Sequence, residues 1–206
     1  MDQPSKSDIP KALVNFLFEV GVLSQTPRSG FYFLGSGHQS VAEHINRVVY
    51  TGFVLAWMEK DVNLEKVLKM CLFHDLAESR TSDLNYVHQK YIERHEDKAF
   101  HDLAATVEFG EELLAIIAEY EERKTREAIV AKDADNIEWI LALKEQVDIG
   151  NTRAASWIPS AVKRLKTESA KTLATKINQT NSDDWWFGDK NDQWWVNRGK
   201  KPSPEN

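Results

Sequence analysis

The sequence predicts an all-α fold, a bundle of helices. Three observations carry that reading. Apolar residues recur at spacings of three and four in one segment after another, the period of a helix with one buried face. Several of these segments open on helix-capping residues, most clearly Ser40-Val41-Ala42-Glu43, a capping box. The chain has 206 residues, 42% hydrophobic and 28% charged, enough to bury a good core as a single globular domain.

Taken in order, residues 1–7 are polar. Asp8 can cap a first helix with Pro10 in its first turn, and Leu13, Phe16, Leu17 and Val20 give it an apolar face that ends near Gly21. Thr26-Pro27-Arg28-Ser29-Gly30-Phe31 then breaks the helix, and aromatics follow in Tyr32 and Phe33. Composition alone makes Arg28 a solvated charge. The Ser40 capping box opens the second helix, with Ile45, Val48, Val49, Gly52, Phe53 and Ala56 as its buried stripe and His44 at the stripe's edge. Asn63 can cap a helix over about 64–79, with Val67, Leu68, Cys71, Leu72 and Leu76 facing inward.

Residues 85–107 read as a polar helical stretch. His88, His95 and His101 lie too far apart there for a compact ligand pair. Residues 108–122 form an amphipathic helix with Leu113, Leu114, Ile116 and Ile117 inward. On a helix over 125–147, Ala128, Ala131, Asp135, Glu138 and Ala142 share one side. A final helix spans 152–179. Four of the seven tryptophans follow, in Trp185-Trp186 and Trp194-Trp195. The chain therefore divides into a body over 1–180 and an aromatic-rich C-terminal extension over 181–206. The extension is expected to fold over the body or a partner subunit and bury its rings.

The net charge of −6 argues against broad nucleic-acid binding, which needs a basic surface. It leaves room for a small anionic substrate in a local basic pocket. Cys71 is the only cysteine, so no intramolecular disulfide forms, and its place on an apolar stripe makes it a buried structural thiol. No secretory signal and no membrane-spanning run is visible, which reads as cytoplasmic.

One stretch departs from this pattern. Leu72-Phe73-His74-Asp75-Leu76-Ala77-Glu78 puts a histidine and an aspartate side by side in an apolar helix. Burying both is costly unless something pairs with them, and a divalent cation would pair with both. A His-Asp dipeptide alone is common. Here it has company: His44 upstream and Asp135 downstream complete two imidazoles and two carboxylates on three helices. Asp133 is the rival to Asp135, but it points about 200° away from it on an ideal helix.

The ordered set resembles the HD-domain metal-dependent phosphohydrolases, and within them the 5'-deoxynucleotidase branch of YfbR-type enzymes. The matching residues are Pro27-Arg28-Ser29-Gly30-Phe31, Ser40-Val41-Ala42-Glu43-His44, His74-Asp75-Leu76-Ala77-Glu78 with Ser82-Asp83-Leu84, and Lys132-Asp133-Ala134-Asp135. They span about residues 8–150. The resemblance implies an HD-domain helical bundle holding one divalent metal cation on His44, His74, Asp75 and Asp135. Mixed nitrogen and oxygen ligation suits Co, Mn, Fe, Ni or Zn, and the family favours cobalt or manganese. It implies catalytic roles for Glu78 and Asp83, Arg28 at the substrate phosphate, and an aromatic, Phe31, against the sugar. The implied reaction is hydrolysis of deoxynucleoside 5'-monophosphates by a homodimer.

Two other readings compete. A triphosphohydrolase acting on deoxynucleoside triphosphates would need more cations around the phosphates than the sequence assigns. A non-catalytic nucleotide-binding module need not have kept every ligand position together with Glu78.

Overall fold

The computed structural model describes residues 10–196. Eleven α-helices are seen among them: α1 (Lys11–Val22), α2 (Val41–Glu59), α3 (Leu64–Phe73), α4 (Glu78–Thr81), α5 (Glu96–Ala104), α6 (Gly110–Glu122), α7 (Arg126–Asp148), α8 (Thr152–Val162), α9 (Glu168–Asn178), α10 (Asp184–Phe187) and α11 (Gln193–Val196). The only β-pairing among the described residues is one isolated bridge, Pro27 with Ser40. The all-α expectation holds, and no helix described is long and apolar enough to cross a membrane.

The axis of the bundle is α7, which packs against α2, α3, α6, α8 and α9. Its buried positions include Val130, Ala131, Asp133, Ala134, Asn136, Ile137 and Glu138, so they face every direction around the helix. A helix surrounded on all sides carries no single apolar stripe. The larger core gathers around it, with Val48 and Leu55 from α2, Val67, Met70 and Cys71 from α3, and Ile137, Ile140 and Leu143 from α7 itself. Each fully buried aliphatic chain there contributes about 1.5–3 kcal/mol. A smaller core joins Leu23, Val41, Ile45 and Leu76 to Leu103, Leu113 and Ile117. His44 lies where the two cores meet, between Val41 and Ile45 of one and Val48 of the other.

The caps that the sequence predicts within these bounds are present. The Ser40 side chain accepts from Glu43 N–H while the Glu43 side chain accepts from Ser40 N–H. Asn63 caps α3 by accepting from Lys66 N–H. Asp8 lies outside the described residues, and α1 begins at Lys11 with Pro10 at its N-cap.

Several expectations are corrected. α1 contains no fully buried residue, and Leu17 faces solvent. Phe53 and Leu72 are half exposed and do not continue the core stripes. The helix expected over 64–79 ends at Phe73. Beyond it the backbone tightens into i→i+3 bonds, Leu76 N–H to Phe73 O and Glu78 N–H to Asp75 O, before α4 resumes for one turn. Of residues 85–107, only 88–90 (a 3-10 turn) and α5 are helical. The single helix expected over 152–179 is two, because the chain between α8 and α9 is drawn onto α7. Asp133 accepts from Lys166 N–H and Thr167 N–H at 2.9 and 2.7 Å and from Thr167 Oγ1 at 2.8 Å. Thr167 then caps α9.

The tail tryptophans each keep more than a third of their surface in solvent. Trp185 is 86% exposed, and Trp186, Phe187 and Trp195 pack on one another with centroids 5.1–5.5 Å apart.

Candidate metal centre

Four elements converge on one point. The chain from Thr26 to Arg28 is stitched to the start of α2 by Val41 N–H to Thr26 O and Arg28 N–H to Gln39 O, both 2.8 Å. α2 contributes His44, the tightened turn after α3 contributes His74 and Asp75, and α7 contributes Asp135. His44, His74 and Asp75 each offer a ligand atom within 4.8 Å of the others. Asp135 joins through His44, with Oδ1 3.2 Å from Nε2.

Both imidazoles are oriented from behind. His44 Nδ1 donates to Glu138 Oε2 at 2.5 Å, and Glu138 is fully buried. His74 Nδ1 donates to the Cys71 carbonyl at 3.0 Å. A carbonyl, and a carboxylate held ionised, can only accept, so each Nδ1 carries its proton and each Nε2 is turned to the centre. There His44 Nε2 lies 3.4 Å from His74 Nε2 and 3.5 Å from Asp75 Oδ2, and His74 Nε2 lies 3.2 Å from Asp75 Oδ2.

This crowd of acceptors demands positive charge. Ligand atoms about 2.1 Å from one cation lie roughly 3.0–3.4 Å apart in octahedral or tetrahedral arrangement, close to the separations seen here. The electrostatics agree. Burial and the Arg28 charge pull the His44 pKa down, yet hydrogen bonds to Asp135 and Glu138 outweigh them and push it up to about 9. The site thus retains a proton where a cation fits. Burial works to raise Asp75, but His74, Arg28 and His44 hold its carboxyl well below the usual range. Lys132 and His44 hold Asp135 low in the same way, against its burial. The Lys132 ammonium sits 2.7 Å from Asp135 Oδ2.

Glu78 is buried beside these groups, and its Oε2 has no hydrogen-bond partner among the described residues. Burial, then the nearby Asp75 and Asp83 charges, push its carboxyl up to about 10. Asp83 is occupied differently. It accepts from Ser29 N–H at 2.9 Å, Ser29 Oγ at 2.7 Å and Arg28 Nη1 at 3.1 Å. Those bonds make it a clamp on the Arg28 loop. It follows Ser82, whose φ of 61° and ψ of 158° lie in a region that ordinarily favours glycine. Arg28 also reaches Asp75 at 3.4 Å, and its buried Nε–H has no acceptor among the described residues.

A cleft of about 1230 Å³ opens over the centre, lined by Arg28, Asp75, Asp83 and Asp135 at this end. Phe31 is not part of its wall. Its ring packs edge-on against Trp139, centroids 5.5 Å apart, and Trp139 and Phe33 face the cleft instead. Gly30 permits this, because a Cβ there would lie 2.6 Å from the Trp139 ring. Asp133, the rival ligand, faces away to hold the α8–α9 loop. His88, His95 and His101 are exposed and play no part in the cluster. Sequence reasoning placed Glu138 on the Asp135 side of its helix but missed its bond to His44. It also missed Arg47, whose Nη2 donates to Glu138 Oε1 at 2.8 Å, and Gln39, which donates to the same oxygen at 2.7 Å.

The HD domain family profile matches residues 20–178, and the chain belongs to that family. Within it, the chain is similar to proteins named 5'-deoxynucleotidase HDDC2. With that of Bos taurus it shares 30% identity over 147 residues, 68% of this chain and 70% of the relative. With that of Dictyostelium discoideum it shares 34% over 119 residues, 52% of this chain and 62% of the relative. Among solved structures, a conserved hypothetical protein of Pyrococcus furiosus superposes with a TM-score of 0.68 at 25% identity, covering 81% of this chain and 99% of that one. A Pyrococcus horikoshii protein does so at 0.66 and 26%, covering 81% and 98%.

Proposed function

We propose that the protein is a metal-dependent 5'-deoxynucleotidase, hydrolysing deoxynucleoside 5'-monophosphates to deoxynucleoside and phosphate. The observation that carries this reading is the convergence of two oriented imidazole Nε2 atoms and two ionised carboxylates beneath an arginine. Relatives named as 5'-deoxynucleotidases support the substrate class.

His44, His74, Asp75 and Asp135 are the groups that would hold one divalent cation, and Co, Mn, Fe, Ni and Zn all suit this donor set. Such a cation supplies Lewis acidity toward water and toward a phosphoryl oxygen. Glu138 and the Cys71 carbonyl fix the two rings, so little reorganisation is needed when the centre fills. Arg28 takes the phosphate, with the unpartnered Nε–H turned to a new acceptor. Asp83 and Ser29 keep that guanidinium in place, a positioning role for Asp83. Glu78 is protonated in the metal-free protein; the charge of a bound cation would favour its ionised form, and its free oxygen would then take a proton from water. Trp139 and Phe33 form the sugar-facing wall in place of Phe31.

A second reading, release of triphosphate from deoxynucleoside triphosphates, is favoured by one observation. Arg28, Arg123, Lys132, Arg164 and Lys166 all line the cleft, more cations than the sequence assigned to it. The deciding experiment reconstitutes the protein with each metal and follows phosphate and triphosphate release from deoxy- and ribonucleotides. Phosphate from deoxynucleoside monophosphates alone is the expected result; triphosphate release moves the substrate class to the second reading.

We also propose a homodimer in the cytoplasm. Tyr50, Phe53, Val54 and Trp57 form an exposed stripe at helical spacing on α2, from 42% to 75% exposed. The exposed tail tryptophans offer a second apolar surface. A reducing compartment suits the single buried thiol of Cys71. Light scattering on wild type and Trp57→Glu tests the dimer, which the variant is expected to weaken.

A further inference from the structure

The cleft is larger than its metal end requires. Ligand pockets commonly enclose about 300–1,000 Å³, and this one reaches 1230 Å³. Five cationic side chains line it in a protein whose net charge is −6. Two of the cleft cations are committed: Arg28 to Asp75 and Asp83, and Lys132 to Asp135. Three others are not. Arg123, at the left-handed C-cap of α6, touches only the exposed Glu121 at 3.4 Å. The Arg164 guanidinium and the Lys166 ammonium have no carboxylate oxygen within 4 Å among the described residues.

Arg164 and Lys166 stand on a fixed platform. Leu165 between them is buried, and the Asp133 carboxylate holds the backbone of Lys166 and Thr167 against α7. Asp133 is itself buried, at 1% exposure. A buried carboxylate that fixes the backbone of this solvent-facing basic loop leaves only the side chains of Arg164 and Lys166 to be ordered on binding. The placement along α7 sets the distance. At 1.5 Å per residue, Lys132 lies about 4.5 Å along the axis from Asp135, and Asp133, which holds the basic loop, about 3 Å along it and about 200° around the helix. Ile129 and Asp133 line the cleft, as do the three uncommitted cations.

We propose that Arg123, Arg164 and Lys166 form a second anion subsite, which takes a 3'-phosphate of a nucleotide whose 5'-phosphate lies at the metal centre. The inference rests on the 5'-nucleotidase reading. A 5'-diphosphate is the poorer fit, since its second phosphorus is joined to the first through one oxygen and stays near Lys132. The preferred substrate class is then deoxynucleoside 3',5'-bisphosphates, or the 5'-phosphorylated end of a short oligonucleotide. Water adds to the 5'-phosphorus, the bond from phosphorus to O5' breaks, and O5' leaves with a proton. The products are inorganic phosphate and a nucleoside 3'-phosphate.

The test compares kcat/KM for deoxyadenosine 5'-monophosphate, 5'-diphosphate and 3',5'-bisphosphate on the metal-loaded full chain. It uses wild type and the double variant Arg164→Ala/Lys166→Ala, both substitutions being at exposed positions. Calorimetric binding of deoxyadenosine 3'-monophosphate is measured in parallel. Wild type is expected to favour the bisphosphate over the monophosphate at least tenfold through KM, with that ratio falling toward one in the double variant. Binding of the 3'-monophosphate should weaken at least tenfold in the variant and fall with added salt. Equal kcat/KM for bisphosphate and monophosphate, a preference that survives in the double variant, or preference for the diphosphate would each overturn the proposal. If no 5'-phosphate is released, the function reading fails separately. The calorimetry then decides the subsite: variant-sensitive binding sustains it, and equal or absent binding removes it.

Discussion

Replacing Glu138 with glutamine tests how far the metal centre depends on what stands behind it. The carboxylate meets donors on both oxygens: His44 Nδ1 at one, and Arg47 Nε, Arg47 Nη2 and Gln39 Nε2 at the other, all within 3.0 Å. An amide has one acceptor oxygen. Three donors outvote one, so the amide oxygen faces Arg47 and Gln39 and its NH₂ faces His44. His44 must then accept at Nδ1 and carry its proton on Nε2, the atom turned to the centre. Loss of such an orienting partner costs about 10–100-fold in metal affinity, or roughly 1.4–2.7 kcal/mol. The fold should survive, because Arg47 is 30% exposed and keeps its second partner, Glu145. The metal-free variant should lose about 1–3 kcal/mol of stability. Competition against a chromophoric chelator gives the affinity, and denaturant unfolding of the metal-free proteins gives the stability. A folded Glu138→Gln protein that binds metal within twofold of wild type would refute the tautomer argument.

Three further outcomes are expected. Gly52→Ala should destabilise by about 1–3 kcal/mol by overpacking, despite its gain in helix propensity, because the new Cβ would lie 2.5 Å from Cys71 Sγ; adding Cys71→Ala should recover much of the loss in the same unfolding assay. In the metal-free protein, Glu78 holds a proton up to about pH 10 when folded, against about 4.5 unfolded, and His44 up to about 9 against 6.5. Both raised values mean that the folded state binds more protons, so stability should fall as pH rises from about 5 toward 10, each group adding up to about 1.4 kcal/mol per pH unit; Glu78→Gln should flatten the slope, and an unchanged slope would remove Glu78 as the cause. Restoring metal at a hundred times its dissociation constant should add about 2.7 kcal/mol, a rise in Tm of several degrees by calorimetry, and Asp75→Ala should show almost none of that rise.

The sequence revealed the parts of the site that are local. The Ser40 capping box sets the start of α2 and so the azimuth of His44, and the His-Asp pair announces itself by interrupting an apolar run. Other features depend on partners distant in sequence. Asp133 looked like a poor ligand, and only the fold shows it gripping residues 166 and 167 from 33 and 34 positions away. Glu138 lies 94 residues from the histidine it orients. The periodicity of α7 could not single out a functional face because the helix is buried all round. The break after Phe73 was hidden because Leu76 keeps the apolar spacing while the hydrogen bonding changes beneath it. Phe31 was assigned to the cleft by its place after Arg28, but Gly30 lets the loop lie flat on Trp139 and turns the ring aside.

The crowding of duties onto α7 has a mechanical consequence. Within two turns this one rod supplies a carboxylate to the centre, the brace for a histidine on another helix, and the tether of the loop that bounds the far cleft. The two ends of the cleft therefore cannot drift apart or slide independently; a rotation of α7 that misaligned Asp135 would drag the basic loop with it. Such an arrangement fails as a unit. Core substitutions along α7, at Ile137 or Ile140 for instance, should erode metal affinity and the shape of the distal wall together, giving correlated losses where a looser scaffold would give separable ones.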